Sequence, residues 1–201
     1  MTDRVLAVLA QPRPELPGAL AAALLEDVID LVGEMPLVTP VVATTSQGDH
    51  DPARFTWPGT TVVEVPARAG IAEVFAVLAG ATPSAEAVTL LAPDVPDLPP
   101  LLVGKLFSAL AGRREPVVAV CPAQGGAAVA VAARIPPPQW LEALDVGLDD
   151  ADVLERLRAA TGSKGSVVVV PGWHRIRSAA DLSVLDPMLE GWEATRAYLQ
   201  S

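Results

Sequence analysis

Short apolar runs alternate along the chain with stretches of helical periodicity. Val5–Ala10 is unbroken and apolar, as in a strand buried on both faces of a parallel sheet. A proline-rich loop from Gln11 to Pro17 follows. From Gly18 to Val32, Leu20, Leu24, Val28 and Leu31 recur at helical spacing, and Pro36 stops the helix. Val38–Thr44 and the β-branched Thr61–Val65 predict the next two strands, separated by a polar loop that begins at Thr45. Gly70–Leu78 predicts a short helix and Ala87–Ala92 a fourth strand. Leu98–Ala111 predicts a helix whose apolar face carries Leu101, Leu102, Lys105, Leu106 and Leu110. Val117–Cys121 and Ala127–Ala133 read as two strands around a Gly125-Gly126 turn. Helices are predicted at Pro136–Leu144 and Ala151–Ala160, a last strand at Val167–Val170, and a C-terminal helical region, Ala179–Leu199, broken near Pro187. Strands alternating with helices predict an α/β fold: a three-layer sandwich with a mostly parallel central sheet. Ligands of such sheets bind at the carboxyl ends of the strands, which directs attention to the loops that follow them.

Length and composition narrow the function classes. At 201 residues the chain is expected to form a single domain, 1–201, with a sizeable core. Hydrophobic residues make up 51% and aromatics only 4%, so the core must be Ala, Val and Leu. Fourteen basic residues against 24 acidic ones give a formal charge of −10, which argues against a nucleic-acid partner. A single cysteine, Cys121, excludes a disulfide framework. Mean hydropathy is high, at +0.39. The longest uncharged stretch, 116–133, is nevertheless interrupted by Pro122, Gln124, Gly125 and Gly126, and the apolar run at the N-terminus is too short for a signal peptide. The expectation is a cytoplasmic protein with no membrane partner.

Candidate chemistry lies in the loops. The fourth predicted strand ends on Ala-Pro-Asp94-Val-Pro-Asp97-Leu-Pro. A carboxylate at Asp94 would point into the crevice and suits Mg²⁺, a hard cation that takes oxygen ligands and often substrate phosphates. Asp97, just before Leu98-Pro99-Pro100, reads as a helix N-cap. Thr161–Ser166 lacks the spacing of a phosphate loop and reads as a helix C-cap and turn. His174 reads as a structural histidine in preference to a general base. Trp57 and Trp173 are as well suited to packing as to stacking a base or sugar, and Cys121 reads as a buried thiol. The acidic segment Asp145–Glu155 reads as a solvated surface leading into a helix.

The Asp94 loop resembles the G-S-D-x-P-D-L signature of bacterial glycosyltransferase-A-like proteins, relatives of the MobA-like nucleotidyltransferases and of phospholactate guanylyltransferase. Val117–Val131 is similar to that family's strand, P-A-x-D-G-G, strand segment. Gly172–Leu182 sits where the family has D-v-D-t-p-x-D-L, and the opening strand with Gln11-Pro12-Arg13-Pro14 and Pro17-Gly18 resembles A-K-x-P-x-P-G-x-v-K-T-R-L. These landmarks occur in family order across nearly the whole chain. The resemblance implies a nucleotide-diphospho-sugar transferase (GT-A)-like fold. It further implies a nucleotide or nucleotide-sugar partner, Mg²⁺ or Mn²⁺ with the nucleotide, and nucleotidyl or glycosyl transfer. The phosphate-binding candidates it marks are Arg13, Gly125, Gly126, Arg175 and Arg177, with Asp94 as the metal ligand.

The departures from the family pattern bear on function. Gln11 replaces the first lysine, and Ala19–Leu24 replaces the K-T-R-L region, leaving Arg13 as the loop's cation. Gln124 stands where the family has Asp, and Arg175 and Arg177 replace the two acidic residues of D-v-D. Two readings stay open. The two arginines take over the metal's task and bind a diphosphate; or catalysis is lost, with residual nucleotide binding or a scaffold role on the same fold. Loss of the basic loop together with the acidic ligands is more simply explained by lost catalysis.

Overall fold

The computed structural model describes residues 3–45, 54–112, 117–163 and 165–201. His50 and Lys164 lie outside the described residues. The strands are β1 (Arg4–Ala10), β2 (Thr39–Thr45), β3 (Thr61–Val65), β4 (Ala87–Leu91), β5 (Val118–Pro122), β6 (Ala128–Arg134) and β7 (Val167–Val169). The helices are α1 (Gly18–Glu34), α2 (Ile71–Ala81), α3 (Pro100–Leu110), α4 (Gln139–Glu142), α5 (Val153–Thr161) and α6 (Glu193–Leu199), with a 3-10 turn at Ala179–Val184.

The strands form one seven-stranded sheet in the order β3-β2-β1-β4-β6-β5-β7, flanked by helices. Every pairing is parallel except the two made by β6, which runs against β4 and β5. The predicted mostly parallel sheet is therefore present. Within the uncharged stretch, residues 117–133 become the hairpin of β5 and β6, with Cys121 level with Ala130, and Ala130 level with Leu91 of β4. Small side chains there let helices pack closely on a core built from Val, Leu and Ala. No helix among the described residues is long and apolar enough to cross a membrane.

Several boundaries differ from the sequence pattern. On α3 the buried face is Leu102, Val103, Leu106, Phe107 and Leu110, while Leu101 is exposed. Leu101 and Leu102 are adjacent, so both cannot face the core of one helix. The helix predicted over Pro136–Leu144 is a single turn, because Pro136, Pro137 and Pro138 exclude their own positions from its hydrogen-bond ladder. Beyond the 3-10 turn, Leu185–Trp192 is non-helical, as Pro187 requires, and α6 then closes the chain. This C-terminal segment lies on α1, where Ile176, Leu185 and Trp192 pack against Leu16, Leu20 and Leu24. Asp27 of α1 ties the two together: its carboxylate accepts the Ala194 and Thr195 backbone N–H groups at 2.8 and 2.9 Å.

Candidate functional site: a closed charge cluster at the strand ends

The loops after β1, β4 and β7 meet at the carboxyl edge of the sheet, where β6 starts. Backbone contacts aim the last of them. Trp173 N–H donates to the Pro122 carbonyl at 3.1 Å, and Ile176 N–H to the Asp94 carbonyl at 2.8 Å. Arg175 is thereby held between the hairpin and the β4 loop. Asp94, at the end of the central strand β4, is 1% exposed. Asp94 and Arg175 face each other across one crevice.

Their relation is the dominant feature of the site. Arg175 Nε donates to Asp94 Oδ1 at 2.7 Å and Nη2 donates to Oδ2 at 2.9 Å. Nη2 also donates to Asp149 Oδ1 at 2.6 Å, and Nη1 donates to the carbonyls of Ala128 and Leu148 at 2.9 and 3.3 Å. A guanidinium has five N–H donors, and each has a partner here. Asp149 is shared: Gln11 Nε2 donates to its Oδ2 at 2.6 Å and Arg13 Nη1 donates to the same atom at 2.7 Å. Arg13 Nη2 stands 3.4 Å from Asp94 Oδ2, an ion-pair contact without hydrogen-bond geometry. Arg13 Nε is buried with no acceptor among the described residues.

Two arginines and two aspartates make the cluster neutral. Burial alone would push the Asp149 carboxyl up, but the Arg175 and Arg13 charges and their hydrogen bonds outweigh it and hold it below the usual carboxylate range. Burial likewise works against the Arg175 charge, and Asp94 and Asp149 outweigh it, raising the guanidinium further.

The other candidate residues separate from this cluster. Arg177 is exposed; its backbone N–H donates to Asp181 at 3.0 Å, and its side chain has no hydrogen-bond or ion-pair partner among the described residues. It does not join Arg175. Gly125 and Gly126 form the hairpin turn with φ of 88° and 101°. A Cβ at Gly126 would stand 2.0 Å from the Ala151 carbonyl oxygen, so a packing role accounts for it. Asp97 does not cap α3, whose N-cap position is Pro99. Its buried carboxylate instead accepts Trp173 Nε1 at 3.1 Å and meets His174 Nε2 at 2.8 Å. His174 thus has a structural partner, and its ring stacks on Trp173. Trp57 Nε1 donates to Asp30 at 2.7 Å on the exposed side of α1. Cys121 is buried, its thiol pushed up to about 12 by burial. Gly162 takes the left-handed C-cap of α5, as the Thr161–Ser166 turn required.

Sequence reasoning missed Asp149. It lies in Asp145–Glu155, where the run of carboxylates reads as solvated, and its one distinguishing sign is the neighbouring Leu148, buried among acidic residues. Asp149 corrects the surface reading of that segment.

A divalent ion does not fit these residues. Asp94 spends both oxygens on Arg175, whose guanidinium carries the positive charge a metal would bring. Among the described residues no group of three or more His, Cys, Asp or Glu side chains is placed to hold a metal. Two openings flank the cluster. One is a narrow cavity of about 50 Å³ between Arg13, Asp94 and the apolar side chains of Leu16, Leu24 and Leu25. The other is a crevice of about 330 Å³ lined by Gln11, Arg68, Gly147, Asp149 and Asp150.

No family model matches the chain, and no curated protein matches it. Solved structures do. A Desulfovibrio desulfuricans protein named as a nucleotide-diphospho-sugar transferase superposes with a TM-score of 0.69 at 15% identity, covering 100% of this chain and 96% of that one. A cytidylyltransferase from Leptospira borgpetersenii gives 0.68 at 11% identity, covering 100% and 94%. Glucosyl-3-phosphoglycerate synthase from Mycobacterium tuberculosis, solved with Mn²⁺, uridine diphosphate and phosphoglyceric acid, gives 0.61 at 19% identity, covering 90% and 74%. Identities this low speak for the fold alone, and on that ground the chain has the fold of the nucleotide-diphospho-sugar transferases and cytidylyltransferases.

Proposed function

We propose that this chain has given up metal-dependent nucleotidyl or glycosyl transfer and retains metal-independent binding of a nucleotide or nucleotide sugar beside Arg13. The observation that carries the reading is the saturation of Arg175. All five of its N–H donors are used inside the protein, two of them on Asp94. With Asp149 in place it has no donor free for a phosphate, and its charge repels a second cation at such range. Transfer chemistry on this fold would need positive charge left open toward the phosphates, and the Asp94 and Asp149 carboxylates neutralise that of Arg175 and Arg13.

Arg13 supports the retained binding. Its side chain is 6% exposed, yet Nε and Nη2 have no hydrogen-bond acceptor among the described residues. Buried donors without acceptors are costly, and a ligand oxygen would satisfy them. The neighbouring cavity is lined mainly by apolar side chains, with Gln11, Thr44 and Asp94 as its other polar members.

The test is a thermal-shift series with CTP, UTP, GTP and nucleotide sugars in EDTA, paired with a pyrophosphate-release assay with and without Mn²⁺. The reading predicts metal-independent stabilisation that Arg13→Ala removes, and no Mn²⁺-stimulated pyrophosphate release. Mn²⁺-dependent release abolished by Asp94→Asn would overturn the loss of transfer. Absence of stabilisation by any of these ligands would leave the scaffold role.

A further inference from the structure

Asp149 is the outlying member of the cluster. Its side chain is 31% exposed, against 6% or less for Arg13, Asp94 and Arg175. Three donors from three separate segments converge on it: Gln11 Nε2, Arg13 Nη1 and Arg175 Nη2, all within 2.7 Å. Convergent charge-assisted donors of this kind are how proteins hold a carboxylate or phosphoryl group. We propose that Asp149 is an internal pseudo-ligand occupying an anion subsite, and that an anionic oxygen group of an incoming ligand displaces it onto Gln11, Arg13 and Arg175. The proposal rests on the binding reading of Arg13 and identifies what stands in the way of it.

Charge balance supports the exchange. With Asp149 in place the two arginines and two aspartates sum to zero. With Asp149 swung out, Arg13 and Arg175 face Asp94 alone and the site carries one net positive charge, which a monoanion restores to neutral. Leaving that charge buried and uncompensated is strongly unfavourable, so the site is held by one anion or the other.

The unused donors indicate the shape of the ligand group. Among the described residues, Arg13 Nε and Nη2 are buried and without hydrogen-bond acceptors even with Asp149 bound. A carboxylate has two oxygens, and those of Asp149 are taken by the three donors above. A phosphoryl group has further peripheral oxygens that reach the spare donors, so the subsite suits a phosphoryl group better than a carboxylate.

Displacement needs little movement. The Leu148 carbonyl is fixed by Ala128 N–H at 2.8 Å, and Gly147 N–H bonds Asp150 at 3.0 Å, so the turn itself is anchored. Rotation of the Asp149 side chain toward the solvent-open crevice suffices.

The experiment is a calorimetric titration with inorganic phosphate, and separately acetate, at constant ionic strength in metal-free buffer. It compares the wild type, Asp149→Asn and Asp149→Asn/Arg13→Ala, each checked by circular dichroism. The proposal predicts that Asp149→Asn binds phosphate at least ten-fold more tightly than the wild type, and that Arg13→Ala in that background reverses the gain. A matching gain for acetate would identify the class as carboxylate; a gain for phosphate alone would identify it as phosphoryl. Equal phosphate affinity in the wild type and Asp149→Asn, or a gain that survives Arg13→Ala, would overturn the proposal.

A second measurement needs no variant. In the wild type, carboxyl NMR should show Asp149 titrating below the usual range without phosphate and moving up in saturating phosphate; no movement contradicts displacement. Mn²⁺-dependent turnover would overturn the loss of transfer without touching these metal-free results. A phosphate-binding Asp149→Asn beside a wild type that no nucleotide stabilises would sustain the subsite and reject nucleotide binding.

Discussion

Arg175 grips Asp94 through two parallel hydrogen bonds, Nε to Oδ1 at 2.7 Å and Nη2 to Oδ2 at 2.9 Å, with both side chains 1% exposed. The pair ties the loop after β7 to the loop after β4 and places a fixed positive charge at the head of the central strand. Since both groups are desolvated, neither can lose its partner cheaply.

Arg175 and Arg177, two residues apart and chemically identical, should therefore behave very differently. Arg175→Ala leaves Asp94 buried without its main counter-charge and is expected to cost roughly 3–5 kcal/mol. Arg177→Ala removes an exposed side chain with no partner among the described residues and should stay within about 0.5 kcal/mol. Urea denaturation of the two variants reads the difference directly. Equal effects would mean that Arg177 has a role in the cluster.

Asp27 sets a pH dependence. Burial is the largest influence on its carboxyl and raises it to about 6, against the opposing hydrogen bonds from Thr195 and Ala194. A raised folded-state value means that the protonated form is favoured by folding. The contribution of this group is fully present below about pH 4, the ordinary aspartate range, and is lost as pH rises through about 6. A shift of about two units corresponds to roughly 3 kcal/mol. The stability difference between wild type and Asp27→Asn should accordingly move by about that amount against the wild type from pH 4 to pH 7. A difference constant with pH would show that Asp27 titrates normally.

The hairpin glycines separate strain from space. Both have positive φ, but a Cβ at Gly125 meets nothing within 4 Å among the described residues, while one at Gly126 would stand 2.0 Å from the Ala151 carbonyl oxygen. Gly125→Ala should cost about 1 kcal/mol for its backbone conformation alone. Gly126→Ala adds a clash with backbone and should cost at least ~2 kcal/mol, with loss of packing between the hairpin and residue 151. Thermal denaturation of the two variants measures the gap; equal costs would place the Ala151 carbonyl farther away.

Strand positions were legible in the sequence because the central strands of this sheet are continuous apolar runs and the edge strand β3 is β-branched. Val5–Ala10 and Ala127–Ala133 announce themselves without any neighbour. The loops carrying Arg13, Asp94 and Arg175 were legible as landmarks in order. What they do to one another was not. That Arg175 would spend every donor inside the protein depends on two backbone carbonyls, Ala128 and Leu148, which have no signature in sequence. Asp97 was misread as a cap because its true partners, Trp173 and His174, lie far along the chain and meet it only through the β7 loop. Asp149 was hidden for a related reason. Among clustered aspartates, only the packing of Leu148 decides which one turns inward.

The most direct test of the account is the affinity of the wild-type protein for Mn²⁺ at neutral pH, measured by electron paramagnetic resonance with and without uridine diphosphate, alongside Arg175→Asp. If the Arg175 guanidinium holds the cation position, the wild type lowers the free Mn²⁺ signal no further than a protein-free control with the same uridine diphosphate does. Arg175→Asp, which places a third carboxylate beside Asp94 and Asp149, removes that signal as a site forms. Stoichiometric Mn²⁺ binding by the wild type, abolished by Asp94→Asn, would contradict the account.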